Sequence, residues 1–96
     1  RIDVVASNPM GKYDIYELKV RKAEPQDLYQ LRMYWDGLVL SGVQPTRGTL
    51  LADSYTDNLK KMMQTMNELP APNFPDGGPS GKYCFTLATL KEKGLV

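Results

Sequence analysis

Tyr13-Asp14-Ile15-Tyr16-Glu17-Leu18-Lys19-Val20 alternates in the way a β-strand does. With a side-chain period of two, Ile15, Glu17 and Lys19 share one face, and Tyr16, Leu18 and Val20 share the other. A carboxylate and an ammonium therefore leave the same side of a rigid segment, next to an aliphatic residue. On a solvated surface this is an ordinary charge pair. In a cleft it is a nucleus for metal-assisted phosphate chemistry. Asp14 is the rival carboxylate, but its odd offset from Glu17 puts it on the opposite face.

Upstream, Arg1-Ile2-Asp3-Val4-Val5-Ala6 reads as a short β-branched strand. Ser7-Asn8-Pro9-Met10-Gly11-Lys12 supplies turn chemistry between the two strands. An antiparallel hairpin centred on Met10 sets Asp3 directly opposite Glu17, on one face, with Cβ atoms roughly 4.5–5.5 Å apart. Two carboxylates so close repel unless a proton or a cation lies between them. A one-residue slip in register would separate them.

Downstream, Ala23-Glu24-Pro25-Gln26 predicts a helix start, with proline suited to the first turn. Leu28, Leu31, Trp35, Leu38 and Val39 then recur at helical spacing, with Gln30 and Tyr34 along one margin of the stripe. Ser41-Gly42 is a plausible stop. Thr46 to Ala52 reads as a central, well-buried strand. Ser54 or Thr56 caps a second helix whose stripe is Leu59, Met62, Met63, Met66 and Leu69; the methionines read as gap-filling core. Pro70 to Gly81 shows neither period and is expected to be a mobile or functional loop, with Phe74 pinning it to the surface. Lys82 to Leu90 returns to alternation as a last strand. The order strand, strand, helix, strand, helix, strand predicts a mixed sheet flanked by helices, in the α/β or α+β class.

With 96 residues, one small domain over residues 1–96 is expected. Because the chain opens at Arg1, it is read as a piece of a longer protein. A net charge of +1 demands a local basic patch for any nucleic-acid affinity. A single cysteine excludes an internal disulfide. The lack of histidine argues against a zinc site and removes Ser–His and Cys–His nucleophiles. No apolar run reaches membrane-spanning length, so no membrane partner is expected and the chain is placed inside the cell, in the cytoplasm or at the nucleoid.

An aspartate on one strand followed by Glu-x-Lys on the next resembles the PD-(D/E)XK nuclease superfamily, whose fold is restriction-endonuclease-like. Thirteen residues separate Asp3 from Glu17, as a short hairpin requires. Gln30-Leu31-Arg32-Met33-Tyr34 matches the Gln-x-x-x-Tyr motif of RecB-like members. The resemblance runs from Asp3 to Tyr34. It implies hydrolysis of DNA phosphodiester bonds by a metal-activated water, with Asp3, Glu17 and Lys19 catalytic. It further implies Mg2+ or Mn2+ held by Asp3, Glu17 and the Leu18 carbonyl. Gln30 and Tyr34 would support the site or touch DNA, and Arg21 and Lys22 would meet phosphates. RNA is not excluded as substrate, and a homodimer is possible because cutting two strands needs two sites. The alternative is an inactive nuclease-fold module for nucleic-acid binding or protein assembly.

Overall fold

The computed structural model describes residues 13–95. The strand expected over residues 1–6, its turn, and Asp3 with them lie outside the described residues. Those described fold in the order β1 (Tyr13–Lys22), α1 (Pro25–Leu40), β2 (Pro45–Ser54), α2 (Asp57–Met66) and β3 (Phe85–Thr89). The result is a small α+β arrangement of two helices and a three-stranded sheet.

β2 is the middle strand, paired in parallel with β1 on one side and with β3 on the other. The described sheet is thus parallel throughout; the antiparallel strand expected at residues 1–6, which would make it mixed, lies outside the described residues. Gly48, Thr49, Leu50, Leu51 and Ala52 are buried in succession, as a strand covered on both edges and both faces must be. Parallel pairing also dictates the connections, since each next strand must start at the same end and a helix carries the chain back.

The helices form where local chemistry permits. Glu24 is extended ahead of α1, Pro25 occupies the first turn, and Leu28, Leu31, Trp35 and Val39 are buried in the core. Gly42, at φ 85°, turns the chain out of α1, and the Val43 N–H reaches the Leu38 carbonyl at 2.9 Å. Thr56 caps α2, its hydroxyl accepting from the Leu59 N–H at 3.1 Å. Leu59, Met63 and Met66 turn inward. The stripe was expected to continue to Leu69, but α2 ends at Met66 and Leu69 is exposed. Asn67 provides the reason: its side-chain amide donates to the Phe85 carbonyl and accepts from the Phe85 N–H, at 2.9 and 2.8 Å, in place of another turn.

The main core lies between the helices and one face of the sheet. Ile15 on β1, Leu50 and Ala52 on β2, and Phe85 on β3 meet Leu28, Leu31, Trp35, Leu59 and Met63 there. Trp35 presents an edge to Phe85 at 5.3 Å and to Tyr83 at 5.9 Å, while Tyr83 and Phe85 stack at 5.1 Å. The opposite face carries a smaller cluster of Leu51, Ala88 and Leu90, flanked by Tyr16 and Leu18.

One glycine is demanded by close approach. A Cβ on Gly48 would lie 2.8 Å from Cδ1 and 3.0 Å from Cε1 of Phe85. The Phe85 ring, itself stacked and buried, cannot move away freely. Gly48→Ala should therefore destabilise by about 1–3 kcal/mol, the usual range for overpacking. Urea unfolding checks this, and an unchanged midpoint would show that the ring relaxes at no cost.

The stretch between α2 and β3 is less loose than its composition suggests. Ala71 N–H donates to the Gly81 carbonyl, Phe74 N–H to Gly78, and the Ser80 hydroxyl to the Pro72 carbonyl. Phe74 packs against the core, as expected. Tyr83, assigned by alternation to the last strand, precedes it, and β3 begins at Phe85. No helix among the described residues is long and apolar enough to cross a membrane.

Candidate functional site

β1 alternates as its sequence requires, and the alternation sends charge inward. Ile15, Glu17 and Lys19 are buried on the helix-facing side, whereas Tyr16 and Leu18 are half-buried and Val20 is exposed on the other. Glu17 is fully buried and Lys19 is 8% exposed. Two ionisable groups buried side by side in one strand are unusual, since removing each from water costs several kcal/mol unless it is paired and hydrogen-bonded.

The pairing is incomplete at Glu17. Lys19 Nζ stands 3.7 Å from Glu17 Oε1, close enough for an ion pair and too far for a hydrogen bond. Neither carboxylate oxygen of Glu17 has a hydrogen-bond partner among the described residues. Burial therefore pushes the Glu17 carboxyl up to about 7, against the pull of the Lys19 ammonium and with the charge of Asp27 adding to the rise.

Gln30 and Tyr34 lie on α1, the helix that packs against this side of the sheet. Gln30 is half-buried, and its Oε1 also lacks a hydrogen-bond partner among the described residues. Tyr34, one turn on, is 41% exposed. Leu18, expected to lend its carbonyl, packs its side chain on the opposite face near Leu51. Asp14 is half-buried beside Arg47 in the strand register.

Arg21 and Lys22 end the strand differently. Lys22 is exposed. Arg21 forms two parallel bonds to Asp27, Nη1 to Oδ2 at 2.8 Å and Nη2 to Oδ1 at 2.7 Å, the fork geometry that makes such pairs strong. Asp27 was not singled out from sequence, yet it is fully buried. Its burial raises its pKa, but the Arg21 bonds, the Glu24 backbone N–H and the Arg21 charge outweigh that and hold it below the ordinary carboxylate range. The signal available was Pro25-Gln26-Asp27, an acidic residue in the first turn of a helix, which is favourable there in any protein.

Acceptor-only oxygens without donors are what a hard divalent cation takes. Glu17 and Gln30 present three such atoms. Among the described residues no group of three His, Cys, Asp or Glu side chains converges to hold a metal. A groove between α1 and α2, lined by Tyr29, Arg32, Lys61, Met62, Met66 and Leu69, does not include Glu17.

Comparison with known proteins follows the same residues. Residues 1–71 match the family described as Endonuclease NucS C-terminal domain. Endonuclease NucS of Pyrococcus abyssi is 35% identical over 63 residues, and that of Pyrococcus horikoshii is 33% identical over 63 residues. Each alignment covers 66% of this chain and 25% of the relative. The chain thus spans about a quarter of the length of the curated relatives it matches. No solved structure matches it.

Proposed function

The chain belongs to the endonuclease NucS C-terminal domain family, and on that premise we propose that it is a nuclease domain hydrolysing DNA phosphodiester bonds with a divalent metal. The observation that carries this reading is Glu17, a fully buried carboxylate with two oxygens unpartnered among the described residues and an ammonium 3.7 Å away. A buried carboxylate left in this state is unfavourable for the fold alone and is the state a cation would relieve.

In this reading Asp3 and Glu17 supply carboxylate ligands and the Leu18 carbonyl a third oxygen. Magnesium, or manganese in its place, supplies an acidified water and offsets charge on the phosphate when bound. Lys19, on the same face of β1, orients the attacking water and stabilises developing negative charge. Gln30 and Tyr34 support the site from α1, the arrangement of the RecB-like branch of the PD-(D/E)XK superfamily. Lys22, exposed at the end of β1, meets DNA phosphates, whereas the Arg21 guanidinium, which the resemblance would also set on phosphates, is taken up by Asp27. The restriction-endonuclease-like topology, the extent of the domain over residues 1–96, a pairing of two copies for double-strand cutting and a place at the chromosomal DNA of the cell are parts of the same proposal.

The test is cleavage of labelled DNA by the full-length protein with Mg2+ or Mn2+. Cleavage should stop on chelation and fall by at least about a hundredfold in Lys19→Ala, in line with loss of one charge-stabilising group. Cleavage that survives both treatments, or folded wild-type protein that cuts neither DNA nor RNA, would overturn the reading.

A further inference from the structure

Four charged groups lie close together where β1 hands over to α1: Glu17, Lys19, Arg21 and Asp27. Only the first two figure in the cleavage reading. Unlike Glu17, Asp27 has both carboxylate oxygens hydrogen-bonded. Asp27 Oδ1 accepts from Arg21 at 2.7 Å, while Oδ2 accepts from Arg21 and from the Glu24 N–H, both at 2.8 Å. Arg21 also donates to the Lys22 carbonyl at 2.8 Å. One guanidinium therefore grips the last residue of the strand and the first turn of the helix.

The strand is shaped for that grip. Lys19 pairs with Ala52 and Lys22 with Ser54, so β1 carries one extra residue against β2 after Lys19. Such a bulge re-aims a side chain and is common beside functional sites. The turn that follows is pinned as well, with Ala23 N–H donating to the Ser54 carbonyl at 2.8 Å.

The clamp fixes a register. β1 and β2 are parallel, so α1 runs back along the sheet, and each step forward on α1 is a step backward on β1. Asp27, Gln30 and Tyr34 are spaced i, i+3 and i+7, one row on the helix. From the clamp, Gln30 lies about 4.5 Å further along α1 and Tyr34 about 10.5 Å. Lys19 and Glu17 lie about 7 and 13 Å back along β1. The two rows advance together, and the charge of Asp27 acts on both Glu17 and Lys19.

We propose that the Arg21–Asp27 pair is a positioning pair that locks α1 onto β1 in the register holding Gln30 and Tyr34 against Glu17 and Lys19. The proposal rests on Glu17 and Lys19 being the cleavage site. Its two residues touch no substrate; they act through the row on α1.

The experiment compares wild-type, Asp27→Asn and Arg21→Lys full-length proteins by single-turnover DNA cleavage, DNA affinity at several salt concentrations, and thermal unfolding. Positioning predicts that folded Asp27→Asn loses about tenfold to a hundredfold in cleavage rate, the usual effect of removing an outer-shell partner. DNA affinity and its salt slope should stay unchanged. Arg21→Lys, which keeps the charge and loses the fork, should lose rate in the same direction, and it decides the matter if Asp27→Asn does not fold. A variant that melts earlier yet cuts at the wild-type rate once folded makes the pair merely structural and overturns the proposal. Lost affinity with a reduced salt slope and an unchanged rate makes Arg21 a phosphate contact and overturns it too. If wild-type protein cuts nothing, the nuclease reading itself fails and takes the positioning role with it; wild-type cleavage with fully active variants sinks the positioning role alone.

Discussion

Glu17→Gln should abolish metal-dependent DNA cleavage and, without metal at pH above 7, make the protein more stable than wild type. The two effects share one cause. The carboxylate is buried without hydrogen bonds from the described residues, so its charged form is held at the expense of the fold. Its pKa rises from 4.5 to about 7 on folding. Between those values the folded protein holds a proton that the unfolded chain has released. Stability is therefore fully present below about pH 4.5, declines as pH rises, and has lost the Glu17 contribution above about pH 7. A shift from 4.5 to about 7 corresponds to about 3 kcal/mol. Glutamine has no charge to bury, so the variant should show no decline across that window. Adding Mg2+ or Mn2+ should reverse the order, stabilising wild type and leaving the variant unmoved. Thermal unfolding from pH 4 to 8, with and without metal, gives all of these. A variant less stable than wild type at pH 8 without metal would show that Glu17 is held for structure.

Trp35→Ala should remove a large share of the stability of the fold. Trp35 is 1% exposed and packs edge-on against both Tyr83 and Phe85. Truncation removes the body of that cluster at about 3–5 kcal/mol, a large share of the 5–15 kcal/mol by which domains are usually stable. Trp35→Phe should cost far less, at most about 2 kcal/mol. Trp35 Nε1 has no hydrogen-bond partner among the described residues, and removing an unpaired buried donor recovers part of the lost packing. Denaturant titration of the three proteins decides it. Equal losses for Ala and Phe would mean that the indole N–H is satisfied in solution.

The alternation in β1 was readable because a strand's period is two and both its faces are at least partly covered. Ile15, Glu17 and Lys19 do share the helix-facing side. The stripe Leu28, Leu31, Trp35, Val39 was readable for the matching reason at helical period. The helical stripe of α2 misled by one turn, because Leu69 keeps the period while Asn67 already spends its amide on the Phe85 backbone. That contact joins residues 18 apart in sequence, which local pattern does not carry. The depth of burial at Glu17 was equally illegible. An acidic-x-basic triplet reads the same on a surface as in a core, and only the α1 layer over β1 separates the two. Asp27 escaped notice because a first-turn aspartate is ordinary; its pairing with Arg21 needs the bulge after Lys19, which no spacing announces.

In the proposed function, Glu17 and Lys19 on β1, joined by Asp3, form a divalent-metal site for DNA cleavage. A crystal structure of the full-length protein soaked with Mn2+ tests it most directly. Anomalous density should appear bound by the Glu17 and Asp3 carboxylates and the Leu18 carbonyl, with Lys19 Nζ beside it. Asp3 and Glu17 on opposite faces of the sheet, or Glu17 oxygens hydrogen-bonded to the protein with no ion beside them, would contradict it.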